Sequence, residues 1–335
     1  MQRFDEYHIP MADGTRPLEG CSVALGNFDG VHRGHQALIA AAGAARPGAP
    51  LGVITFEPHP RQVFRPDDPP FRLTGDAARA RILAGLGVER LAVLPFDAAI
   101  MRMSPATFAK QVLSEGLGVA HVTVGADFHF GRGREGTPAI LRFLGRALGF
   151  EVTVLAMVGD ETAHGSADGE GFSSTDARRA IRAGRMAEAE AILGRPHAIC
   201  GPVVRGDQRG RTLGYPTANL AFADQLIPAY GVYATCVTVL TGAHAGVYDG
   251  VASIGERPTF GVNAPNFEVH LFDFAGDLYG AEIEVALIAF LRGEIAYEGP
   301  EKLIAQMDRD SAQARALLAK RAESPDTPVS LTRTV

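Results

Sequence analysis

From Ser22 to about Val158, short apolar runs alternate with segments of helical pattern. Ser22–Leu25, Leu51–Phe56, Arg90–Leu94, His121–Val124 and Glu151–Val158 read as strands; Gln36–Ala45, Asp76–Leu86, Pro105–Glu115 and Pro138–Leu148 read as helices. Strands dense in Val and Leu and separated by helices predict a parallel sheet covered on both faces. Ligands of such sheets sit beyond the carboxyl ends of the strands, so the residues just after Leu25, Phe56 and Val124 hold first interest. The stretch 160–171 (DETAHGSADGEG) is acidic, glycine-rich and poor in large apolar groups, and reads as a loop. Two helical patterns follow, Ser174–Ala183 and Ala187–Leu193, ending at Gly194-Arg195-Pro196.

Beyond Pro196 the period changes. Gly231–Leu240, Phe267–Phe274 and Glu282–Leu291 carry β-branched and aromatic residues at or near period two, divided by turn clusters. That pattern predicts a small antiparallel barrel. Glu301–Ala322 returns to helical spacing and predicts a closing helix, with residues 323–335 as a frayed tail. The fold class is therefore α/β followed by β, with boundaries expected at 20/21, 185/186 and 322/323. At 335 residues and about 150 per domain, two domains fit.

Composition narrows the function. Hydrophobic residues at 46% and charged residues at 21% exclude a chain disordered throughout. A net charge of −6 has the wrong sign for a protein that coats nucleic acid. Cys21, Cys200 and Cys236 are odd in number and far apart, giving neither a disulfide framework nor a paired zinc signature. No leader and no apolar run of membrane length is read, so a cytoplasmic protein without a membrane partner is expected.

The phosphate-cradling G-x-x-x-x-G-K-[ST], H-E-x-x-H and G-x-S-x-G are absent. Gly131–Gly136 (GRGREG) fits G-x-G-x-x-G, but a dinucleotide fingerprint turns directly from strand into helix, and here Gly125 to Phe130 intervene. A basic loop near a phosphate is the reading preferred for it. The strongest local signal is Gly26–His35 (GNFDGVHRGH), directly after the first strand and before the first helix. His32 and His35, three apart, share a face on a first helical turn that also offers free N–H groups and the positive dipole end. Two imidazoles converging there form a receptor for a phosphate gaining charge, and Gly34 lets a nucleotide approach the backbone. The same spacing also fits a histidine pair that merely caps the helix.

The stretch GNFDGVHRGHQ resembles the H-x-G-H signature of the nucleotidyltransferase superfamily, and more narrowly the first module of the bacterial bifunctional riboflavin kinase/FAD synthetase family. TFEPHP at Thr55–Pro60, Leu73-Thr74 with Arg79, VGADFHFG at Val124–Gly131 and Ser173-Ser174-Thr175 with Arg178 agree in order. Gly201–Asn219 (GPVVRGDQRGRTLGYPTAN), Gly231–Ala234, Ser253–Gly261 (SIGERPTFG) and Phe267–Gly280 (FEVHLFDFAGDLYG) resemble the same family's kinase module. The resemblance spans about residue 21 to 322. It implies an adenylyltransferase domain at 21–185 and a riboflavin kinase domain at 186–322.

It also implies two reactions. Riboflavin takes the γ-phosphate of ATP to give FMN, and FMN attacks a second ATP to give FAD and pyrophosphate, with Mg²⁺ as the metal. For adenylyl transfer the phosphate is already anionic and needs no base, so positioning and charge stabilisation carry the reaction. His32, His35 and Arg178 take that role by resemblance, with Gly26, Asn27, Phe28, Gly34, Ser174 and Thr175 around ATP and Asp127 toward the flavin. Ser174 and Thr175 also fit an ordinary N-cap, and Asp29 is read as a cap rather than a metal ligand.

A ribityl hydroxyl is neutral and gains from a general base, for which Glu268 matches the family. Strand alternation sets Glu268 against Phe267 and Val269, on the side of His270 and Phe272. Thr217 and Asn219 match the Mg²⁺ and phosphate ligands, and their side chains face one way if the segment is extended. Gly206, Arg211 and Gly214 belong to a phosphate loop, and Arg257, Pro258, Thr259 and Phe260 to a flavin loop.

Some positions depart from the family pattern. Asp176 and Ala177 stand where a basic and a larger aliphatic residue are common, Tyr215 and Tyr297 where phenylalanine is, and Glu256 where a small or neutral one is. The leading reading is thus a bifunctional enzyme, monomeric or weakly self-associating, acting on ATP, riboflavin and FMN. A kinase-only chain and a non-catalytic flavin sensor are the alternatives. An oligonucleotide-binding barrel needs exposed aromatics interleaved with Lys and Arg, which FEVHLFDF and GVYATCVTVL lack.

Overall fold

The computed structural model describes residues 14–156, 172–206, 214–222, 224–256 and 265–323, and the backbone of Asp5–Glu6. The chain packs as two compact units, Met1–Pro69 with Asp76–Ser173, and Pro70–Gly75 with Ser174–Val335.

In the first unit, β1 (Asp5–Glu6), β2 (Ser22–Leu25), β3 (Leu51–Glu57), β4 (Arg90–Pro95), β5 (His121–Gly125) and β6 (Glu151–Leu155) form one sheet in the order β1-β4-β3-β2-β5-β6. Every neighbouring pair is parallel. The helices are α1 (Arg33–Ala45), α2 (Pro60–Phe64), α3 (Asp76–Gly85), α4 (Ala98–Arg102), α5 (Pro105–Thr107) and α6 (Pro138–Leu148). Alternation along the strands feeds two cores. Val23, Leu25 and Ile54 meet Val112, Leu113 and Leu141 on one face. Ala24 and Val53 meet Leu38, Ile39 and Leu83 on the other. Both faces are covered, as the apolar strands required. From β2 the chain winds outward to β3 and β4, then returns to β5 on β2's other side. The carboxyl end of β2 is therefore the switch point where a crevice opens.

Several sequence expectations shift here. The edge strand β1 and the short helices α2 and α4 carry too little periodicity to read. The helix expected over Pro105–Glu115 is one α-turn, α5, followed by a π-helical segment Phe108–Leu117 that stops at Gly118. The last strand ends at Leu155 rather than Val158. The acidic stretch 160–171 and the tail beyond 323 lie outside the described residues.

The second unit holds α7 (Ser174–Arg182), α8 (Met186–Leu193) and a closed six-stranded antiparallel barrel in the order β10-β11-β8-β7-β12-β9. Its strands are β7 (His197–Val204), β8 (Ala218–Leu220), β9 (Gly231–Val239), β10 (Gly246–Glu256), β11 (Pro265–Leu271) and β12 (Glu282–Arg292). By packing, α7 goes with the barrel, although the sequence reading grouped it with the first module. The closing helix α9 (Pro300–Ala322) buries Ala314 and Leu318 on Val232, Ala234, Val251 and Phe272. That explains why β9 is buried on both faces instead of alternating. On β11, Phe267, Val269 and Leu271 are buried while Glu268 and His270 are only partly so. Phe272, grouped with Glu268 and His270 by period, lies past the strand end and is buried beneath α9.

Candidate active sites

The turn after β2 is wound by three residues with positive φ, Phe28 (51°), Gly30 (80°) and Val31 (38°). Two of them are not glycine, and strain of this kind costs roughly 1–3 kcal/mol per residue, so it persists only where the surroundings over-determine it. Phe28 and Val31 are fully buried in the core under α1, and Gln36 Nε2 donates to the Val31 carbonyl at 2.9 Å. Gly26 N donates to Ile54 O at 3.1 Å, and Thr55 Oγ1 donates to the Asn27 carbonyl at 3.0 Å, so β3 fixes the start of the turn. Thr55 was not assigned a role from the sequence. Its place one strand away, inside TFEPHP, was the available signal.

His32 is the N-cap of α1, with the backbone N–H of His35 donating to its Nδ1 at 3.4 Å. The two imidazoles stack with centroids 3.7 Å apart, and Phe28 closes on His35 at 5.0 Å. With Nδ1 accepting, neutral His32 carries its proton on Nε2, a donor for a ligand oxygen. Capping thus engages only one nitrogen of the ring. A side chain at position 34 would place its Cβ 3.1 Å from both His32 Nδ1 and the Phe172 carbonyl. The lack of a side chain at Gly34 therefore leaves room for the capping imidazole. Asp29, read as a cap, is buried but is not the capping residue; His32 holds that place.

Asp127 is exposed beyond β5, its carbonyl 2.8 Å from His129 Nδ1. The GRGREG stretch is a pinned turn: Phe130 and Gly136 exchange backbone hydrogen bonds of 3.1 and 2.8 Å, and Arg132 N donates to Met103 O at 2.7 Å. Gly131 and Gly136 serve close packing; a Cβ at Gly136 would meet the Phe130 carbonyl at 2.7 Å, and one at Gly131 the Pro105 nitrogen at 2.9 Å.

Ser174, Thr175 and Arg178 lie in the second unit, on α7. Ser174 is the first helical residue, so both hydroxyl residues sit inside the first turn, one step past a cap. Arg178 is buried, with Nε donating to the Phe71 carbonyl at 2.9 Å and its guanidinium 5.2 Å over the Phe71 ring. Asp176 pairs with Arg179 at 2.6 Å, and Ala177 is fully buried in the helix packing.

The barrel assembles a second group. Strand pairing sets Glu268 opposite Asn219 on β8. Thr217, 51 residues away in sequence, donates through Oγ1 to Glu268 Oε2 at 3.4 Å. Asn266, two residues before Glu268 on the same strand face, donates Nδ2 to Oε1 at 2.9 Å. His270, on that face too, lies with Nδ1 2.9 Å from the Pro216 carbonyl and its ring 5.1 Å from Tyr215. The Tyr215 hydroxyl donates to Asp308 of α9; burial first, and that acidic neighbour, push its pKa up. The segment Tyr215–Asn219 is thereby tied to both β11 and α9. Neither Asn266 nor His270 was assigned a role from the sequence, although period-two spacing around Glu268 pointed at both.

Gly206 is required here: a Cβ would lie 2.4 Å from the Asn219 side chain, which is buried. Gly214 has φ of 83°, a conformation that favours glycine. Arg211 and the flavin-loop residues Arg257, Pro258, Thr259 and Phe260 lie outside the described residues. Among the described residues no cluster of three His, Cys, Asp or Glu fits a metal. Thr217 and Asn219, bracketing Glu268, instead offer hydroxyl and amide oxygens, the hard donors that Mg²⁺ accepts beside phosphate and water.

Residues 15–168 match the FAD synthetase family model and residues 193–318 the riboflavin kinase model. The bifunctional riboflavin kinase/FMN adenylyltransferase of Escherichia coli (strain K12) is 41% identical over 303 residues, covering 89% of this chain and 93% of that protein. The chain belongs to this bifunctional family. Relatives of the same name in Listeria monocytogenes and Bacillus subtilis are 39% identical over 89% of the chain and 35% identical over 87%, covering 92% and 90% of those proteins. A crystal structure of a macrolide-efflux protein from Streptococcus pneumoniae superposes with a TM-score of 0.80 at 31% identity, over 92% of this chain and 98% of that one. Among the described residues here, no helix is long and apolar enough to cross a membrane. The two activities, riboflavin kinase and FMN adenylyltransferase, thus occur in one chain, adenylyltransferase module first.

Proposed function

We propose that His32 and His35 stabilise charge during adenylyl transfer and that Glu268 is the base for riboflavin phosphorylation, each within its own unit. The observation that carries the kinase assignment is the meeting of Thr217, Asn219 and Glu268 across the β8–β11 pairing. A solvated strand carboxylate has no reason to face a hydroxyl and an amide in register.

In the kinase step Glu268 accepts the proton of the ribityl hydroxyl as its oxygen bonds to the γ-phosphorus of ATP, and ADP leaves. Thr217 and Asn219 would hold Mg²⁺, which when bound neutralises phosphate charge. The family resemblance assigns Gly206, Arg211 and Gly214 to the triphosphate and Arg257, Pro258, Thr259 and Phe260 to the flavin. In the adenylyl step the FMN phosphate oxygen bonds to the α-phosphorus as its bond to pyrophosphate breaks. His32, donating through Nε2, and the stacked His35 bind phosphate oxygens at the α1 N-terminus, beside Gly26, Asn27, Phe28 and Gly34. Ser174, Thr175 and Arg178 take the triphosphate role that the family resemblance assigns them, and Asp127 the flavin role, so the functional boundary lies near residue 185. The cytoplasm is the proposed compartment, with the chain a monomer or weak homo-oligomer.

Separate assays test this. Full-length Glu268→Gln, given riboflavin, ATP and Mg²⁺, loses FMN formation yet converts supplied FMN to FAD; His32→Ala/His35→Ala does the reverse. Loss of both reactions in either variant would contradict the division of labour.

A further inference from the structure

The base proposed above is not free to turn. Both Glu268 carboxylate oxygens are engaged, Oε2 by Thr217 at 3.4 Å and Oε1 by Asn266 at 2.9 Å. A carboxylate only accepts, so the Asn266 amide must present its nitrogen. Period two puts Asn266 and Glu268 on one face of β11, on either side of Phe267, which is buried on the other face. Strand pairing with β10 fixes both: Asn266 lies opposite Gly255 and Glu268 opposite Ser253. The Asn266 bond, at 2.9 Å, is of ordinary length and goes to a carboxylate acceptor, the stronger class of hydrogen bond. The Thr217 contact is longer, as befits a hydroxyl with a second task toward phosphate or metal.

We infer that Asn266 is a positioning residue for riboflavin phosphorylation: it holds Oε1 of Glu268 so that Oε2 stays on the Thr217 side, where the reacting hydroxyl must come. Asn266 itself need touch neither substrate. Its contribution is orientation of the base, which matters because small misplacements of a catalytic group carry a large rate penalty. This rests on Glu268 being the base.

The test compares Asn266→Ala, Asn266→Asp and Glu268→Gln in the full-length protein. Asn266→Ala lowers kcat for FMN formation about tenfold with little change in KM for riboflavin or ATP, the loss of one charge-assisted hydrogen bond. Asn266→Asp keeps the shape but sets a second carboxylate against Glu268, and lowers kcat further. A merely structural role would rank the two the other way, the isosteric change being the milder. FMN-to-FAD conversion in the same samples stays at the wild-type rate, which reports an intact chain. In the Glu268→Gln background, Asn266→Ala adds nothing further. Wild-type kcat in both Asn266 variants, with Glu268→Gln inactive, would overturn the inference alone. An active Glu268→Gln would overturn the base assignment on which it stands.

Discussion

Around His32 and His35, the capping ring, the stacked ring and the strained turn come from one stretch between a parallel strand and its helix. Thr217, Asn219 and Glu268 meet only because β8 and β11 pair in one register. The first arrangement uses backbone that is already polarised: a helix N-terminus supplies donors and dipole wherever it occurs. The second has no such ready-made field, and gathers hydroxyl, amide and carboxylate from separate strands. On the proposed assignments, the chemistry follows the architecture. Transfer to an anionic phosphate needs charge stabilisation, which a helix end gives; transfer to a neutral hydroxyl needs a base, which a strand can aim.

The largest effect that separates the two regions is Glu268→Gln, with FMN formation falling by about 10²- to 10⁴-fold, the range for losing a general base. Initial rates with riboflavin check it, and adenylylation of supplied FMN is unchanged. His32→Ala/His35→Ala lowers adenylylation by roughly 10²- to 10³-fold, comparable to removing a preorganised oxyanion donor, and leaves the kinase intact. A smaller change sharpens the register argument. Gly206→Ala forces its Cβ against the Asn219 side chain at 2.4 Å, so Asn219, paired opposite Glu268, must be displaced. The kinase kcat/KM then falls by roughly tenfold, a misplacement effect, with FMN-to-FAD rates as the internal control.

The smallest effect concerns the sheet beneath the first site. His121 is buried, with Nδ1 2.9 Å from Ser22 Oγ and Nε2 2.9 Å from Thr153 Oγ1. Ser22 donates to the Ala42 carbonyl at 2.6 Å, so it accepts from His121 Nδ1–H, and Thr153 donates to Nε2. Burial, partly offset by Glu151, depresses the His121 pKa below 6.5. The unfolded chain therefore binds the extra proton first as pH falls through about 6.5, and stability drops below that point. Denaturant unfolding between pH 7 and 5 should show a shallower decline in His121→Gln than in wild type. Equal slopes would mean that His121 does not contribute.

Legibility differs between the regions for the same reason. The parallel strands and the Gly26–His35 turn are contiguous, so period and order exposed them. Even there, spacing gives the cap to Asp29 where His32 takes it, because spacing cannot tell which side chain turns back onto the helix end. In the barrel, β9, β11 and β12 were readable from β-branched runs, but β7, β8 and β10 were not. Gly201 and Pro202 hide β7, whose burial alternates once folded, and the glycines of Gly246–Glu256 hide β10, which is buried through its middle. Period two sets Asn266 on the face of Glu268, but the role inferred for it rests on one hydrogen bond that spacing does not show. The π-helical turn at Phe108–Leu117 has no sequence signature that separates it from an α-helix.

The most direct test of two separable chemistries is a chromatographic time course of the full-length protein with riboflavin, excess ATP and Mg²⁺. Wild type should show FMN first and FAD after it, Glu268→Gln neither, and His32→Ala/His35→Ala FMN that accumulates without FAD. FMN formed by Glu268→Gln at the wild-type rate, or no FMN from the double histidine variant, would contradict the account.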